Sequence, residues 1–262
     1  MSEKLVANKK IVIIGGTAGI GLSAAKIFIK HGAYVVVVGR DREHVEEAKK
    51  NLDKSGEAIV GDAVDAATSI NAINVCVNRF GGFDGLYHVA GGSGRKWGDG
   101  PLHQVSLEGW NKTLELNLTS LMFSNQAAIN QFIKQKTAGT ILNMSSVLGF
   151  SPSPEHFSTH AYAAAKSAVI GFSTSIAAYY AKNNIRINVI APGLVETPMA
   201  TRAAKDESIL SFIKKKQPLS GGRIGRPDDL DGLALYFMSD LSSFTTGQVV
   251  AVDGGWSVTE GR

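Results

Sequence analysis

The sequence is poor in cysteine, in long apolar runs and in concentrated charge. Cys76 is the single cysteine of 262 residues, which excludes an intrachain disulfide and suits a reducing compartment, so a cytoplasmic protein is expected. Its expected place is among buried apolar side chains. No apolar run reaches the ~18 residues that cross a bilayer. The opening MSEKLVANKK has no apolar signal core, so neither export nor membrane attachment is expected. The net charge is +4, but the basic residues are scattered. The densest run, Lys214-Lys215-Lys216, reads as a solvated helix end. Aromatic residues are not interleaved with basic ones as a strand-binding groove requires, so no nucleic-acid partner is expected. No His/Cys cluster points to a metal. Repeats, low-complexity linkers and domain boundaries are also missing, and a single domain over 1–262 is expected.

What is present is alternation. Short apolar runs at Ile11–Ile14, Tyr34–Val38, Ala58–Val60, Gly85–Val89, Thr140–Met144, Arg186–Ile190 and Val249–Val252 read as strands. Amphipathic segments starting near Ile20, Arg42, Ala66, Leu107, Ala161, Asp206 and Pro227 read as helices. Continuous apolar strands suit a parallel sheet covered on both faces. The alternation predicts a doubly wound α/β fold of about seven mostly parallel strands, a Rossmann fold, with helices on both faces.

KIVIIGGTAGIG, at 10–21, ends an apolar run in glycines. Two glycine spacings overlap there. Gly19-x-Gly21-x-x-Ala24 fits the common dinucleotide fingerprint, and Gly15-x-x-x-Gly19-x-Gly21 is an alternative. Apolar residues stop at Ile14, so the turn begins at Gly15 and the second spacing is preferred. Either way, glycines let main chain approach a pyrophosphate at a helix N-terminus. The second strand ends Val38-Gly39-Arg40-Asp41. An NAD site usually carries an acid at this strand end to bind the ribose 2′-hydroxyl. Here Arg40 offers a fork suited to a 2′-phosphate. NADP(H) is therefore favoured over NAD(H), with Asp41 on the ribose as the alternative.

Tyr162 and Lys166, in HAYAAAKSAVIGF, are four residues apart and share one helix face. An ammonium one turn away is expected to lower the tyrosine pKa, making the pair a proton-transfer device. Upstream, the strand in GTILNMSSVLGF runs into Ser145 and Ser146 at its carboxyl end, where α/β sheets meet their ligands. Asn117 falls inside a predicted helix, where asparagine is a poor former. It is expected either to hold a water or to kink that helix.

With these residues in place, the sequence resembles the short-chain dehydrogenase/reductases of the Tyr-x-x-x-Lys type over nearly its whole length, in the manner of 3-oxoacyl-carrier-protein-reductase-like members. The resemblance rests on the glycine spacing, Asp62, Ala90-Gly91, Asn117, Ser146, Tyr162-x-x-x-Lys166, Pro192-Gly193 with Thr197, GRIGRPDDL at 222–230 and TGQVVAVDGG at 246–255. It implies reduction of a small-molecule carbonyl to a secondary alcohol, or the reverse. Tyr162 would be the general acid or base, and Lys166 would lower its pKa and bind the nicotinamide ribose. Ser146 would polarise the carbonyl, and Asn117 would hold a proton-passing water. It further implies that the cofactor is held by Gly15, Thr17, Ala18, Gly19, Ile20, Gly21, Arg40, Asp62, Ala63, Ala90, Gly91, Tyr162, Lys166, Ile190, Pro192, Gly193, Val195 and Thr197.

The sequence departs from the family at three places. Ile14 replaces a frequent threonine, and His88-Val89 replaces Asn-Asn before Ala90-Gly91. Both changes remove side-chain hydrogen bonds that brace the cofactor-side loops. The third departure is a gap of 16 residues from Ser146 to Tyr162, longer than usual. It places SPSPEHFSTH over the substrate mouth, with His156 and His160 as loop residues. Substrate choice is expected from 92–100, 147–160 and a lid at 194–217 whose apolar face carries Met199, Ile209, Leu210, Phe212 and Ile213. Arg95 and Lys96 would favour an anion or simply be solvated. The small-residue helix at 161–181 is expected to be buried on more than one side. With the helix at 107–134 and the C-terminal VDGGWSV, the resemblance implies a homotetramer, or else a homodimer. The alternatives are an NAD-dependent alcohol, sugar or steroid dehydrogenase of the same family, a catalytically silent nucleotide sensor and a non-enzymatic interaction protein. A double-bond reductase is disfavoured, because such enzymes of the family space Tyr and Lys more widely.

Overall fold

A computed structural model describes residues 4–261; Met1–Glu3 and Arg262 of the expected domain lie outside the described residues. Seven parallel strands form one sheet in the order β3-β2-β1-β4-β5-β6-β7. They are β1 (Lys10–Ile14), β2 (Tyr34–Gly39), β3 (Gly56–Val60), β4 (Gly85–His88), β5 (Gly139–Met144), β6 (Ile185–Pro192) and β7 (Val249–Val252). The helices are α1 (Gly19–Lys30), α2 (Arg42–Asn51), α3 (Ala66–Phe80), α4 (Leu107–Leu114), α5 (Ser120–Gln135), α6 (His160–Tyr180), α7 (Glu207–Lys216) and α8 (Asp231–Met238).

The strands are runs of β-branched residues with apolar side chains on both faces, as a covered parallel sheet needs. In β1, Ile11 and Ile13 enter the core beneath α1, α2 and α8, while Val12 and Ile14 enter the core beneath α3, α5 and α6. Helix starts are set locally: Asp41, Asp65, Ser106 and Asp206 accept first-turn N–H groups of α2, α3, α4 and α7. Cys76 is buried as expected, its thiol donating to the Gly82 carbonyl at 3.4 Å.

One expected helix is interrupted. The helix over 107–134 is divided by a π turn at Glu115–Thr119, centred on Asn117. Such turns insert a residue into the ladder. Helix α6 buries one stripe within this chain, Ala161, Ala165, Lys166, Val169, Ser173 and Ala177, and leaves Ser167, Gly171 and Ser175 exposed. No described helix is long and apolar enough to cross a membrane.

The chain runs outward from β1 to β3, then crosses back to β4 and runs to β7. The crevice therefore opens at the carboxyl ends of β1 and β4, where a doubly wound sheet binds ligands.

Candidate active site

That crevice is a cavity of about 800 Å³. Its near wall is main chain. Gly15 has φ +85° and Gly19 φ +51°, in the left-handed region that glycine alone adopts without cost. A Cβ on Gly15 would lie 2.6 Å from the Ala90 nitrogen, and one on Gly21 would collide with the Gly15 carbonyl oxygen. These close approaches leave room for a phosphate-sized group at the N-terminus of α1. Gly15, Thr17, Ala18, Gly19 and Ile20 line the cavity. Gly21 does not: it is the packing glycine between helix and loop. Ile190 is likewise buried in the core behind the wall.

Asp62, Ala63, Ala90, Gly91, Pro192, Gly193, Val195 and Thr197 complete this half, with Arg40 at its far end. A Cβ at Gly39 would collide with the Thr17 hydroxyl, so the strand end has no room for an acid. Asp41 accepts the Glu43 and His44 N–H groups at 2.9 and 3.1 Å. That capping role, which holds its carboxyl below the usual range, commits it away from a ribose. The residues present fit a dinucleotide with a negative group beside Arg40.

The loop after β4 needs no threonine at 14 or asparagines at 88 and 89. Val89 and Ala90 N–H both donate to the Ile14 carbonyl, at 2.8 and 2.9 Å, so main chain supplies the brace. His88 turns inward, its Nδ1 2.8 Å from the Ser124 hydroxyl. Burial pushes its pKa down to about 3, helped by the nearby Lys166 charge, so the ring is neutral.

Ser146, Tyr162, Lys166 and Asn117 share the opposite wall. Asp99 fixes Tyr162: its two carboxylate oxygens accept the Ala161 and Tyr162 N–H groups, each at 3.0 Å, at the start of α6. Lys166 Nζ donates to the Met144 carbonyl at 3.0 Å and lies 5.5 Å from the Tyr162 ring centre. Asn117 donates to the Gly92 and Thr113 carbonyls at 2.8 and 2.9 Å and accepts the Gly92 N–H at 3.1 Å. Both its amide protons are committed, so it ties the π turn to the β4 loop and keeps one oxygen lone pair for a water.

The expected lowering of the tyrosine is not what this arrangement produces. Burial pushes the Tyr162 phenol up to about 12, opposed by its hydrogen bond with Ser146. Burial likewise pushes Lys166 down to about 8. The spacing of the two residues was legible in sequence, but their desolvation was not. In this wall Tyr162 is a protonated donor beside the Ser146 hydroxyl.

The cavity is also lined by Trp97, Leu148, Phe157, Met199 and Trp256, and by the cations Arg95, Lys96 and Arg202. Trp256 is buried against Phe157 and Phe212, with ring centres 5.7 and 5.5 Å away. Its side chain thus packs within its own chain. Of the expected apolar face of 194–217, Ile209 and Ile213 are buried and Phe212 is partly covered, but Met199 and Leu210 are exposed. Gln217 grips the base of that segment, accepting the Leu194 N–H at 2.6 Å. His156 stacks on Phe212 at 4.6 Å, and neither it nor His160 lines the cavity. Sequence reasoning marked the segments 92–100 and 194–217 but did not single out Asp99 or Arg202 within them, nor the inward Trp256. None has a local signal, since each acts on a residue distant in the chain.

A family model described as enoyl-(acyl carrier protein) reductase matches residues 15–257. The 3-oxoacyl-[acyl-carrier-protein] reductase FabG of Chlamydia muridarum is 35% identical over 254 residues, covering 97% of this chain and 99% of that protein. The 2,5-dichloro-2,5-cyclohexadiene-1,4-diol dehydrogenase LinX of Sphingobium indicum is 34% identical over 265 residues, covering 98% and 99%. The solved structure of a short-chain type dehydrogenase/reductase from Mycobacterium ulcerans superposes with a TM-score of 0.86 at 28% identity, covering 97% of this chain and 91% of that one.

Proposed function

Because this chain belongs to the short-chain dehydrogenase/reductase family, we propose that it is an NADP(H)-dependent oxidoreductase that reduces a small-molecule ketone to a secondary alcohol, or runs the reverse. The observation that carries this reading is the convergence of Ser146, Tyr162, Lys166 and Asn117 on one wall of a cavity whose other wall is the glycine loop. When bound, the nicotinamide supplies or accepts the hydride.

The chain's own residues bind, orient and move a proton. Main chain at Gly15–Ile20 cradles the phosphates, and Arg40 takes the 2′-phosphate that Gly39 and the committed Asp41 leave without an acidic rival. The Ser146 hydroxyl and the Tyr162 phenol both point hydrogen-bond donors at the carbonyl oxygen. Tyr162 donates its proton to the developing alkoxide in reduction, a direction that burial of the neutral phenol favours, and only as the phenolate would it accept the alcohol proton in oxidation. Lys166 positions the cofactor ribose and offers a cation behind the phenol. Asn117 holds the β4 loop and the last link of the proton path. Residues 194–217 act as the substrate lid, and the exposed small face of α6 supports a homotetramer, or a homodimer, in the cytoplasm.

The test is a panel of ketones, 3-oxoacyl thioesters, enoyl thioesters, sugars and steroids, each followed by nicotinamide absorbance with NADPH and with NADH. Reduction of a ketone or 3-oxoacyl thioester with NADPH is expected, and Tyr162→Phe should lower kcat by about 10²–10⁴-fold. Turnover of enoyl thioesters alone would replace this reading by the reaction in the family model's description. Turnover surviving intact in Tyr162→Phe would remove the tyrosine from the reaction.

A further inference from the structure

We propose that the mouth of the cavity is an anion clamp, and that the substrate is an amphiphilic carbonyl compound whose carboxylate or phosphate sits between Arg95 and Arg202, an inference that rests on the carbonyl-reductase reading above. Arg95, on the short turn Arg95–Trp97, and Arg202, in the turns after Pro198, are distant in sequence and both exposed to solvent. Both line the cavity that holds Ser146 and Tyr162. Partial burial, and after it the charge of Arg202, lower the pKa of Arg95. A group of opposite sign between them would be favoured by both charges.

The protein supplies it only in part, through Asp99 near Arg95 and Asp206 near Arg202. Among the described residues no carboxylate lies within 4.0 Å of the Arg95 guanidinium. Its one side-chain hydrogen bond is a long contact, 3.5 Å, to the His156 carbonyl. Asp99, the nearby acid, has both oxygens committed to the first turn of α6. Asp206 lies 3.9 Å from Arg202 but is committed to capping α7 through the Ser208 and Ile209 N–H groups. Lys96 adds a third cation, held 4.1 Å from the Trp97 ring centre. A guanidinium pair presents planar forks that match a carboxylate or a phosphate.

The same cavity is lined by the apolar side chains of Trp97, Leu148, Phe157, Met199 and Trp256. The complementary molecule therefore has its reactive carbonyl at one end, an apolar body and an anionic group at the other. The phosphates of the cofactor belong to the opposite end of the cavity, at the glycine loop and Arg40.

The experiment compares three forms of one oxoalkyl chain, the free carboxylate, its methyl ester and the corresponding phosphate monoester, with wild type, Arg95→Gln and Arg202→Gln. Wild type is expected to prefer at least one charged form over the ester by tenfold or more in kcat/KM, and whichever charged form leads identifies the group. Each variant is expected to lower that preference about tenfold, the size of one lost charge-assisted contact. Equal turnover of ester and charged forms would overturn the clamp while leaving the reductase reading intact. So would a preference that neither variant moves, or an Arg95 effect confined to the NADPH Kd. If no form is reduced, the reductase reading loses its support, and calorimetric binding of the carboxylate to the NADP⁺ complex decides the clamp. Binding lost in Arg95→Gln keeps it, and no binding by wild type removes it.

Discussion

Gly15 and Gly19 line one part of the cavity with main chain, with Gly21 packed behind them, whereas another part is walled by Leu148, Phe157 and Trp256, side chains brought from distant segments and backed by Phe212. The first half is formed by leaving atoms out. The second is formed by packing large rings against one another. The two halves should therefore fail in opposite ways: the loop when an atom is added, the aromatic wall when atoms are removed.

The largest expected effect is on the aromatic side. Trp256→Ala removes a buried indole from the cluster with Phe157, Phe212, Ile209 and Ile213, and should cost about 3–5 kcal/mol, read by denaturant unfolding. NADPH affinity of the remaining folded protein should change little. If it collapses with the aromatic wall, the two halves are not separable. Next is Gly21→Ala. Its methyl would press on the Gly15 carbonyl, which is backbone and cannot rotate away. We expect a loss of about 1–3 kcal/mol together with weakened NADPH binding, and wild-type affinity in this variant would show that the loop tolerates added atoms after all. Arg40→Ala is milder: the ratio of kcat/KM for NADPH over NADH should fall about tenfold, without loss of thermal stability.

The smallest effect lies under the loop. Asp231 accepts the Ser23 hydroxyl of α1 at 2.8 Å, and burial raises its pKa to about 6. A carboxyl raised above its unfolded value near 3.8 binds protons more tightly when folded, so stability falls as pH rises from about 4 to 6. Asp231→Asn should therefore melt higher than wild type at pH 7, and that advantage should vanish below pH 4. An advantage independent of pH would assign the gain to packing.

The same contrast explains what was legible. Strands such as Tyr34–Gly39 and the glycine loop are local: their residues specify backbone conformation directly, and the strand end at Ile14 located the turn. The order of Tyr162, Lys166 and Ser146 was readable because a helix and a strand end have fixed periods. The π turn at Glu115–Thr119 was less so, since apolar periodicity continues through it and only Asn117 hints at a break. The tyrosine pKa was misjudged because spacing reports a neighbour and says nothing of lost water. Arg202 and Trp256 were illegible as site residues, because their place depends on where α7 and the C-terminal turn dock on the rest of the chain.

Asp99 has a consequence for anyone who would alter this protein. Its carboxylate joins the loop after β4 to the first turn of the helix that carries Tyr162. Loop and helix are thus one exchangeable module with a built-in fastener. A loop transplanted from a relative to change substrate preference keeps the tyrosine in register only if it brings an acid to position 99, or if the first turn of α6 is transplanted with it.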